Sequence, residues 1–155
     1  MKTIPTIVIA AAATAASVFV LPCAAIAGNG QSSSSTATPE QIARGNYLVY
    51  RAGLCIDCHS PRSEKGEFLE GKHLTGAPIG FTPVAPMPWA PFAPRLAGLP
   101  AGYTQEQIVH FLMTGERPNG RPGPLPPMPA YRFNRDDAEA IVAYLKSLPG
   151  EVPQP

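Results

Sequence analysis

The pentapeptide Cys55-Ile56-Asp57-Cys58-His59 constrains the fold of this chain more than any other stretch. Two thiols three residues apart, followed at once by an imidazole, can bond both vinyl groups of a haem and offer one ring nitrogen to its iron. The pattern therefore predicts a c-type attachment site, with one haem c bound covalently through Cys55 and Cys58. Such a haem would fill much of the core of a small domain.

Other interpretations of the motif fit the surrounding sequence less well. A structural zinc site needs four ligands, usually with a second Cys or His pair at short spacing, and the remaining candidates after position 23 are the isolated His73 and His110. A thioredoxin-like dithiol needs a βαβ surround, whereas the flanking sequence indicates helix and proline-rich loop. We expect both histidines to be ordinary surface residues.

Three helices are predicted from caps and apolar spacing. Side chains that favour the N-cap position precede each helical pattern, at Thr38, Thr104 and Asn134. Helix-ending residues follow, near Gly53, at Gly115 and at Pro149. These signals predict an all-α domain with a long first helix that leads directly into the motif.

Proline dominates the sequence between the motif and the last helix. Thirteen of the twenty prolines lie between Pro78 and Pro129. Closely spaced prolines exclude helix and are not tolerated in a central strand, so we expect extended coil there. A coil of this length in a small domain requires something to pack on, and a haem edge would supply it.

The N-terminal segment has the features of an export signal. Residues 1–27 combine one early lysine with an apolar, Ala-rich run and a small-residue site, which is typical of a cleaved secretory signal peptide. The same run is long enough to be an uncleaved membrane anchor. Residues 28–37 are expected to be a flexible linker, residues 38–150 the folded domain, and residues 151–155 a tail. Export predicts a periplasmic location, with a membrane tether only if the leader stays.

The balance of charge limits the classes of partner. Twelve basic residues face eleven acidic ones, so nothing indicates nucleic-acid binding. The expected partners are redox proteins that reach the haem, and docking should depend weakly on salt.

The order of elements resembles the class I cytochrome c family. An N-terminal helix, the haem motif, a middle helix, Pro127-Met128-Pro129 and a C-terminal helix containing Tyr144 follow in that family's sequence. The resemblance implies a cytochrome c-like fold of three main helices around one haem, with Gly45 and Tyr144 where the terminal helices cross. It also implies that His59 and Met128 are the axial ligands of the iron. Met87, which also lies between prolines, remains the alternative sixth ligand.

The resemblance implies further contacts with the haem. In the family, a backbone carbonyl from a Gly-Pro or similar turn holds the proximal imidazole. The turn at Pro78 resembles it best, with the turn at Pro94 as the alternative. Trp89 is a candidate to pack on the porphyrin or donate to a propionate. Four arginines flank the loops expected around the haem: Arg95, Arg117, Arg121 and Arg132. Of these, we expect Arg95 to pair with a haem propionate.

The function that these features predict is electron transfer. A His/Met-ligated haem has no open coordination position, so its iron would cycle between Fe(III) and Fe(II) without binding substrate, and no catalytic residue is required. Such a protein is either a free carrier in the periplasm or the cytochrome subunit of a dehydrogenase or respiratory complex, with a dehydrogenase, an oxidase or a respiratory complex as its redox partner. A haem peroxidase or gas-binding protein is a third hypothesis, from a different class.

Overall fold

Helix α1, Pro39–Tyr47, begins where the sequence predicts it. In the computed structural model, which describes residues 36–150, the backbone N–H of Gln41 donates to the Thr38 side-chain oxygen, with a donor–acceptor distance of 3.2 Å. Proline at the first helical position needs no hydrogen-bond partner for its nitrogen. The N-terminal cap predicted at Thr38 is therefore present.

The first helix does not stop at its α-helical end. It continues as one turn of π-helix, Leu48–Ala52, which closes when the Gly53 N–H donates to the Leu48 carbonyl at 2.7 Å. The haem motif itself then forms a short helix, α2, Cys55–His59. π-Helical turns are frequent at functional sites, and this one leads the chain directly into the motif.

Two further helices complete the scaffold. Helix α3, Gln105–Thr114, starts with a complete capping box at Thr104 and ends at Gly115 in the left-handed conformation. Helix α4, Arg135–Ser147, is capped by the Asn134 side chain and carries two acidic residues in its first turn. Both helices confirm the capping signals in the sequence.

The segment between α2 and α3 is mainly coil, as predicted. It contains one minimal antiparallel ladder, in which β1, Ala77–Pro78, pairs with β2, Phe92–Ala93. The Ile79 N–H continues the pairing to the Pro91 carbonyl at 2.9 Å, so residues 79–91 form a loop with a closed base. We call these residues the hairpin loop. A short 3₁₀ turn, Pro118–Gly120, follows α3.

The core is built where α4 packs against α1 and α3. Gly45 of α1 lies against Ala140 and Tyr144 of α4, so closely that a Cβ at position 45 would lie 2.6 Å from the Tyr144 Cβ. A two-contact ion pair between Arg44 and Asp137 joins the same two helices at the surface, with Nε and Oδ1 2.8 Å apart. The buried cluster comprises Leu48, Val49, Ile56, Leu74, Ala97, Ile108, Val109, Leu112, Ala138, Ala140, Ile141, Val142, Tyr144 and Leu145.

Several sequence-based predictions fall outside the described residues. The leader at 1–27, most of the linker at 28–37 and the tail at 151–155 lie there, and those predictions stand as made. Across residues 36–150, no helix has the length and apolar character that a bilayer crossing requires.

Candidate functional site

The motif lines a cavity that is apolar on most of its wall. Cys55, Cys58 and His59 lie on it together with Met128. The remaining lining comes from the residue before α2, from the hairpin loop, from β2 and the segment that follows it, from α3 and α4, and from the proline-rich segment before α4. It includes Leu54, Ile79, Ala90, Phe92, Ala93, Pro94, Leu96, Pro100, Tyr103, Ile108, Phe111, Leu112, Leu125, Pro127, Pro129, Tyr131, Ile141 and Leu145. Residues more than 80 positions apart in sequence therefore meet around one space.

His59 is oriented by a backbone carbonyl. Its Nδ1 lies 2.6 Å from the carbonyl oxygen of Pro94, and because a carbonyl only accepts, Nδ1 carries the proton. The lone pair then belongs to Nε2, the nitrogen that can ligate iron. The ring is buried, and desolvation lowers the pKa of His59 despite the opposing effect of this hydrogen bond. The imidazole is therefore neutral at pH 7, as a metal ligand must be.

The carbonyl partner is the alternative turn, and the preference for Pro78 is corrected. Pro78 lies on β1, opposite Phe92, and is exposed. Its turn contributes differently, because the Gly76 N–H donates to the His59 backbone carbonyl at 2.9 Å. The two turns are thus both near His59, but the Pro94 turn orients the ring and the Gly76–Pro78 turn holds the backbone.

Both thiols of the motif are at least partly buried. Desolvation raises the pKa of Cys55 to about 11, so this thiol is protonated at neutral pH. Cys58 is partly buried on the same short helix. A short helix presents both thiols and the imidazole to one cavity, which is the arrangement that two thioether bonds and one axial bond from a single pentapeptide require.

Met128 is held in place by its surroundings. It lies between Pro127 and Pro129, and its backbone N–H donates to the Leu125 carbonyl at 3.2 Å. Two residues before Met128, the Pro126 carbonyl accepts from the Ala90 N–H of the hairpin loop at 2.8 Å. These bonds connect the Met128 segment to the hairpin loop, so the thioether has little freedom to leave the cavity.

The other methionines of residues 36–150 lie elsewhere. Met87 is 48% exposed at the far end of the hairpin loop and is absent from the cavity wall. Met113, on α3, packs against the buried core cluster. Of these methionines, Met128 alone shares the cavity with His59.

Tyr131 joins the Met128 segment to the haem motif. Its hydroxyl donates to the carbonyl of Gly53, two residues before Cys55, and its ring stacks on Phe133 with centroids 5.0 Å apart. Burial raises the pKa of Tyr131, so the hydroxyl remains a donor across the ordinary pH range. Nothing in the local sequence indicates this bond, because it spans 78 positions.

We expect Tyr131→Phe to lower the free energy of unfolding of the holoprotein by about 1 kcal/mol, since it leaves a partly buried carbonyl without its donor. Tyr103→Phe is the matched control. Tyr103 also lies on the cavity wall, but its hydroxyl makes no hydrogen bond within residues 36–150. Chemical denaturation, monitored by circular dichroism, measures the free energy of unfolding of both variants. Equal stability of the two variants would contradict a structural role for the Tyr131 bond.

Arg95 does not face the cavity, which corrects its predicted role. Its Nε donates to the Ala97 carbonyl at 2.9 Å, and one terminal nitrogen donates to the carbonyls of Pro149 and Gly150 at 2.7 and 3.0 Å. Arg95 therefore ties the segment after β2 to the end of the last helix. Arg117 is instead the only residue with a permanent charge among the described residues of the cavity wall.

Trp89 lies beside the cavity rather than on its wall. Its ring packs edge-on against Phe81, with centroids 5.5 Å apart, and the next residue, Ala90, lines the cavity. The Trp89 Nε1 is buried and has no hydrogen-bond partner among the described residues. A buried unpaired donor is costly, so this nitrogen is suited to an acceptor outside the chain, such as a carboxylate.

His73 and His110 lie away from the cavity. The Nδ1 of His73 is 3.2 Å from the Tyr50 hydroxyl, and His110 pairs with Glu116 at the surface. Neither residue is part of the cavity wall, in agreement with their prediction as ordinary histidines.

The residues present fit a covalently bound haem. Two thiols, a neutral imidazole with a defined tautomer and a thioether converge on a space with apolar walls. One cation lies on its wall, and one unpaired donor lies beside it. This donor set provides the bonds that such a group makes and excludes water around the rest of it. Cys55, Cys58 and His59 are brought together as predicted, and Met128 shares their cavity.

Comparison with known proteins agrees with this chemistry. Residues 42–149 match the family model described as Cytochrome c. The cytochrome c subunit of alcohol dehydrogenase (quinone) from Gluconacetobacter polyoxogenes is 35% identical over 123 residues, which cover 72% of this chain and 25% of the relative. One of the subunits of nicotinate dehydrogenase from Pseudomonas putida is 32% identical over 114 residues, which cover 70% of this chain and 9% of the relative.

A third relative is also named as a subunit of a dehydrogenase. The fructose dehydrogenase cytochrome subunit from Gluconobacter japonicus is 28% identical over 116 residues, which cover 70% of this chain and 22% of the relative. The chain therefore spans a quarter or less of the length of each of these curated relatives.

Proposed function

The chain belongs to the cytochrome c family, as an electron-transfer protein that carries covalent haem c, and on that premise we propose that it accepts electrons from a dehydrogenase. The observation that carries the proposal is the shared role of its relatives. They are named for three different substrates, an alcohol, nicotinate and fructose, yet each is a dehydrogenase subunit. Their names thus have a dehydrogenase in common and not a substrate.

The chain's own residues would bind and tune the haem. His59, oriented by the Pro94 carbonyl, and Met128, held by its proline-flanked loop, would be the two side chains that hold the haem iron. Arg117 and the Trp89 Nε1 are the proposed partners of the haem carboxylates. When bound, the haem supplies one-electron chemistry, as its iron alternates between Fe(III) and Fe(II). The apolar wall would exclude water from the bound group, which would favour its less charged, reduced state.

We also propose that the protein works in the periplasm. Support comes from the leader-like residues 1–27, which lie outside the described part of the chain, and from the bacterial origin of the relatives. The protein then needs no catalytic acid or base, because the dehydrogenase performs the oxidation of the substrate.

A reduction assay with the purified ferric holoprotein tests the proposal. Extract from a deletion strain of the source organism is supplied with an alcohol, a sugar or an N-heteroaromatic acid, and haem reduction is followed by its visible bands. We expect one substrate class to reduce the protein, with two molecules of cytochrome reduced per substrate molecule oxidised by two electrons. Reduction by ascorbate is the control that the haem is competent.

A second pattern of results would contradict the proposed electron donor. If ascorbate reduces the protein and no substrate class does so in any extract, a dehydrogenase is not its electron donor. Co-purification of the tagged protein with a dehydrogenase would separate a fixed subunit from a free carrier.

A further inference from the structure

Most of the large apolar side chains exposed to solvent lie on the wall of the haem cavity or on the hairpin loop beside it. Within residues 36–150, eight large hydrophobic side chains are exposed, and only Tyr47 and Leu69 lie elsewhere. The other six form what we call the apolar rim, made of Leu54, Phe81, Val84, Met87, Phe92 and Leu125. Single exposed apolar residues are normal, but such a concentration usually marks an interaction surface.

The apolar rim is continuous with the haem cavity. Leu54, Phe92 and Leu125 are exposed and also line the cavity. Phe81, Val84 and Met87 extend the surface outwards along the hairpin loop. The closed base of that loop and its bond from Ala90 to Pro126 hold it in place, and Val84 is fully exposed on it. A partner that covers the rim thereby approaches the mouth of the cavity.

The loops that carry five of the six rim residues, all except Leu54, have no charged side chain. Residues 73–94 and 122–131 contain no Asp, Glu, Lys or Arg, so all eleven acidic and all twelve basic residues of the chain lie outside them. A charged partner surface would lose solvation on this face without gaining an ion pair. The complementary surface is therefore apolar and uncharged.

Leu54 is a rim residue with a strained backbone conformation. Its φ of 52° lies in the left-handed region, which is unfavourable for a leucine, and its side chain is half exposed. Glycine would relieve the backbone strain and a polar residue would suit the solvent. Leu54 therefore places a strained apolar residue at the edge of the cavity, directly before Cys55.

We propose that the apolar rim is the docking surface for the electron-donating dehydrogenase, which meets it with an apolar, uncharged face around its own redox centre. The inference rests on the proposed function and adds the chemistry of the contact. Weak electron-transfer encounters bury small areas, and a few exposed apolar side chains around a cofactor mouth suit such an encounter. Docking then depends on apolar contact rather than on attraction between charges.

Electron self-exchange between ferric and ferrous copies of the holoprotein, measured by NMR line broadening, tests the surface without the dehydrogenase. Two copies exchange electrons by bringing their cavity mouths together, so the rim meets itself. The rate for the unmodified protein should change by less than about twofold between about 0.01 and 0.5 M salt. In Val84→Lys, like charges meet, and we expect the rate to fall about fivefold at low salt and to recover at high salt.

Leu69→Lys is the matched control, because it also places a lysine at an exposed apolar position but outside the rim. Its rate should stay within about twofold of the unmodified protein. The same two variants are then compared in the dehydrogenase assay, where Val84→Lys should slow reduction and Leu69→Lys should not. An equal effect of both lysines, or none from Val84→Lys, would overturn the docking surface.

Two other occupants of the rim are distinguished by direct measurement. Sedimentation of the ferric protein as a stable dimer that Val84→Lys dissociates would assign the rim to a second copy of the chain. Binding to neutral phosphatidylcholine vesicles that Val84→Lys abolishes would assign it to lipid. Either result overturns the proposal. Because self-exchange requires only the holoprotein, it can support the surface even if no dehydrogenase reduces the protein.

Discussion

Replacing Met128 with alanine is expected to remove the weak long-wavelength absorption band of sulfur-ligated ferric haem and to lower the reduction potential by a few tenths of a volt, within the range of about 0.8 V that axial ligands span. A thioether stabilises Fe(II) over Fe(III), so its loss favours the oxidised state. Water or another group would then reach the distal side of the haem. Optical spectra and a redox titration of the holoprotein measure both effects.

The matched control is Met87→Ala. Met87 is half exposed on the hairpin loop and outside the cavity wall, so both the band and the potential should remain. Met113→Ala should also keep the band while losing some stability, because that side chain packs against the core. A band that survives in Met128→Ala and disappears in Met87→Ala would reassign the sixth ligand and require the hairpin loop to fold over the cavity.

Gly45→Ala is the second change with a large expected effect. The expected change in stability has the opposite sign to the one that helix propensity alone predicts. In an exposed helix, alanine is more favourable than glycine by about 1 kcal/mol. At position 45, however, the added Cβ would lie 2.6 Å from the Tyr144 Cβ and would also collide with the Ala140 carbonyl oxygen. These atoms are backbone or the root of a side chain, so α1 and α4 must separate. We expect a loss of about 3 kcal/mol in the free energy of unfolding.

Gly80→Ala is the control for this prediction. A Cβ at position 80 meets no heavy atom within 4 Å, so we expect a change of less than about 0.5 kcal/mol. Denaturant titration of each ferric holoprotein, followed by far-ultraviolet circular dichroism, measures the difference. If Gly45→Ala proved as stable as the unmodified protein, the close crossing of α1 and α4 would be incorrect.

The helices of residues 36–150 could be predicted from the sequence to a large extent, because the signals that begin and end them are local. Each predicted N-cap, at Thr38, Thr104 and Asn134, lies where the structure has it, since a cap depends on a side chain and a backbone N–H three residues away. The covalent attachment at Cys55 and Cys58 follows from five adjacent residues. Proline flanking also singled out the loop of Met128, although it did so equally for Met87.

The contacts around the haem were harder to predict because they join distant parts of the chain. The choice between Pro78 and Pro94 as the His59 partner depends on the path of the proline-rich coil, which has no periodic pattern to follow. Arg95 was expected near the haem from its position in a loop, yet three backbone carbonyls bind its guanidinium elsewhere. Arg117 could be separated from the other three candidate arginines only once the cavity wall was known, and the bond from Tyr131 to Gly53 only once the tertiary contacts were.

The sequence alone determined the cofactor chemistry, the three main helices and the class of function, because each of these depends on residues that are neighbours along the chain. The tertiary structure decided which carbonyl orients His59, which methionine shares its cavity and which charged group lies on the cavity wall. It also decided that Ile79 and Ala90, at the two ends of the hairpin loop, line the cavity while Val84 between them is exposed. Those outcomes depend on how long coil segments return to the same place, and a coil without periodicity carries no local signal of its destination.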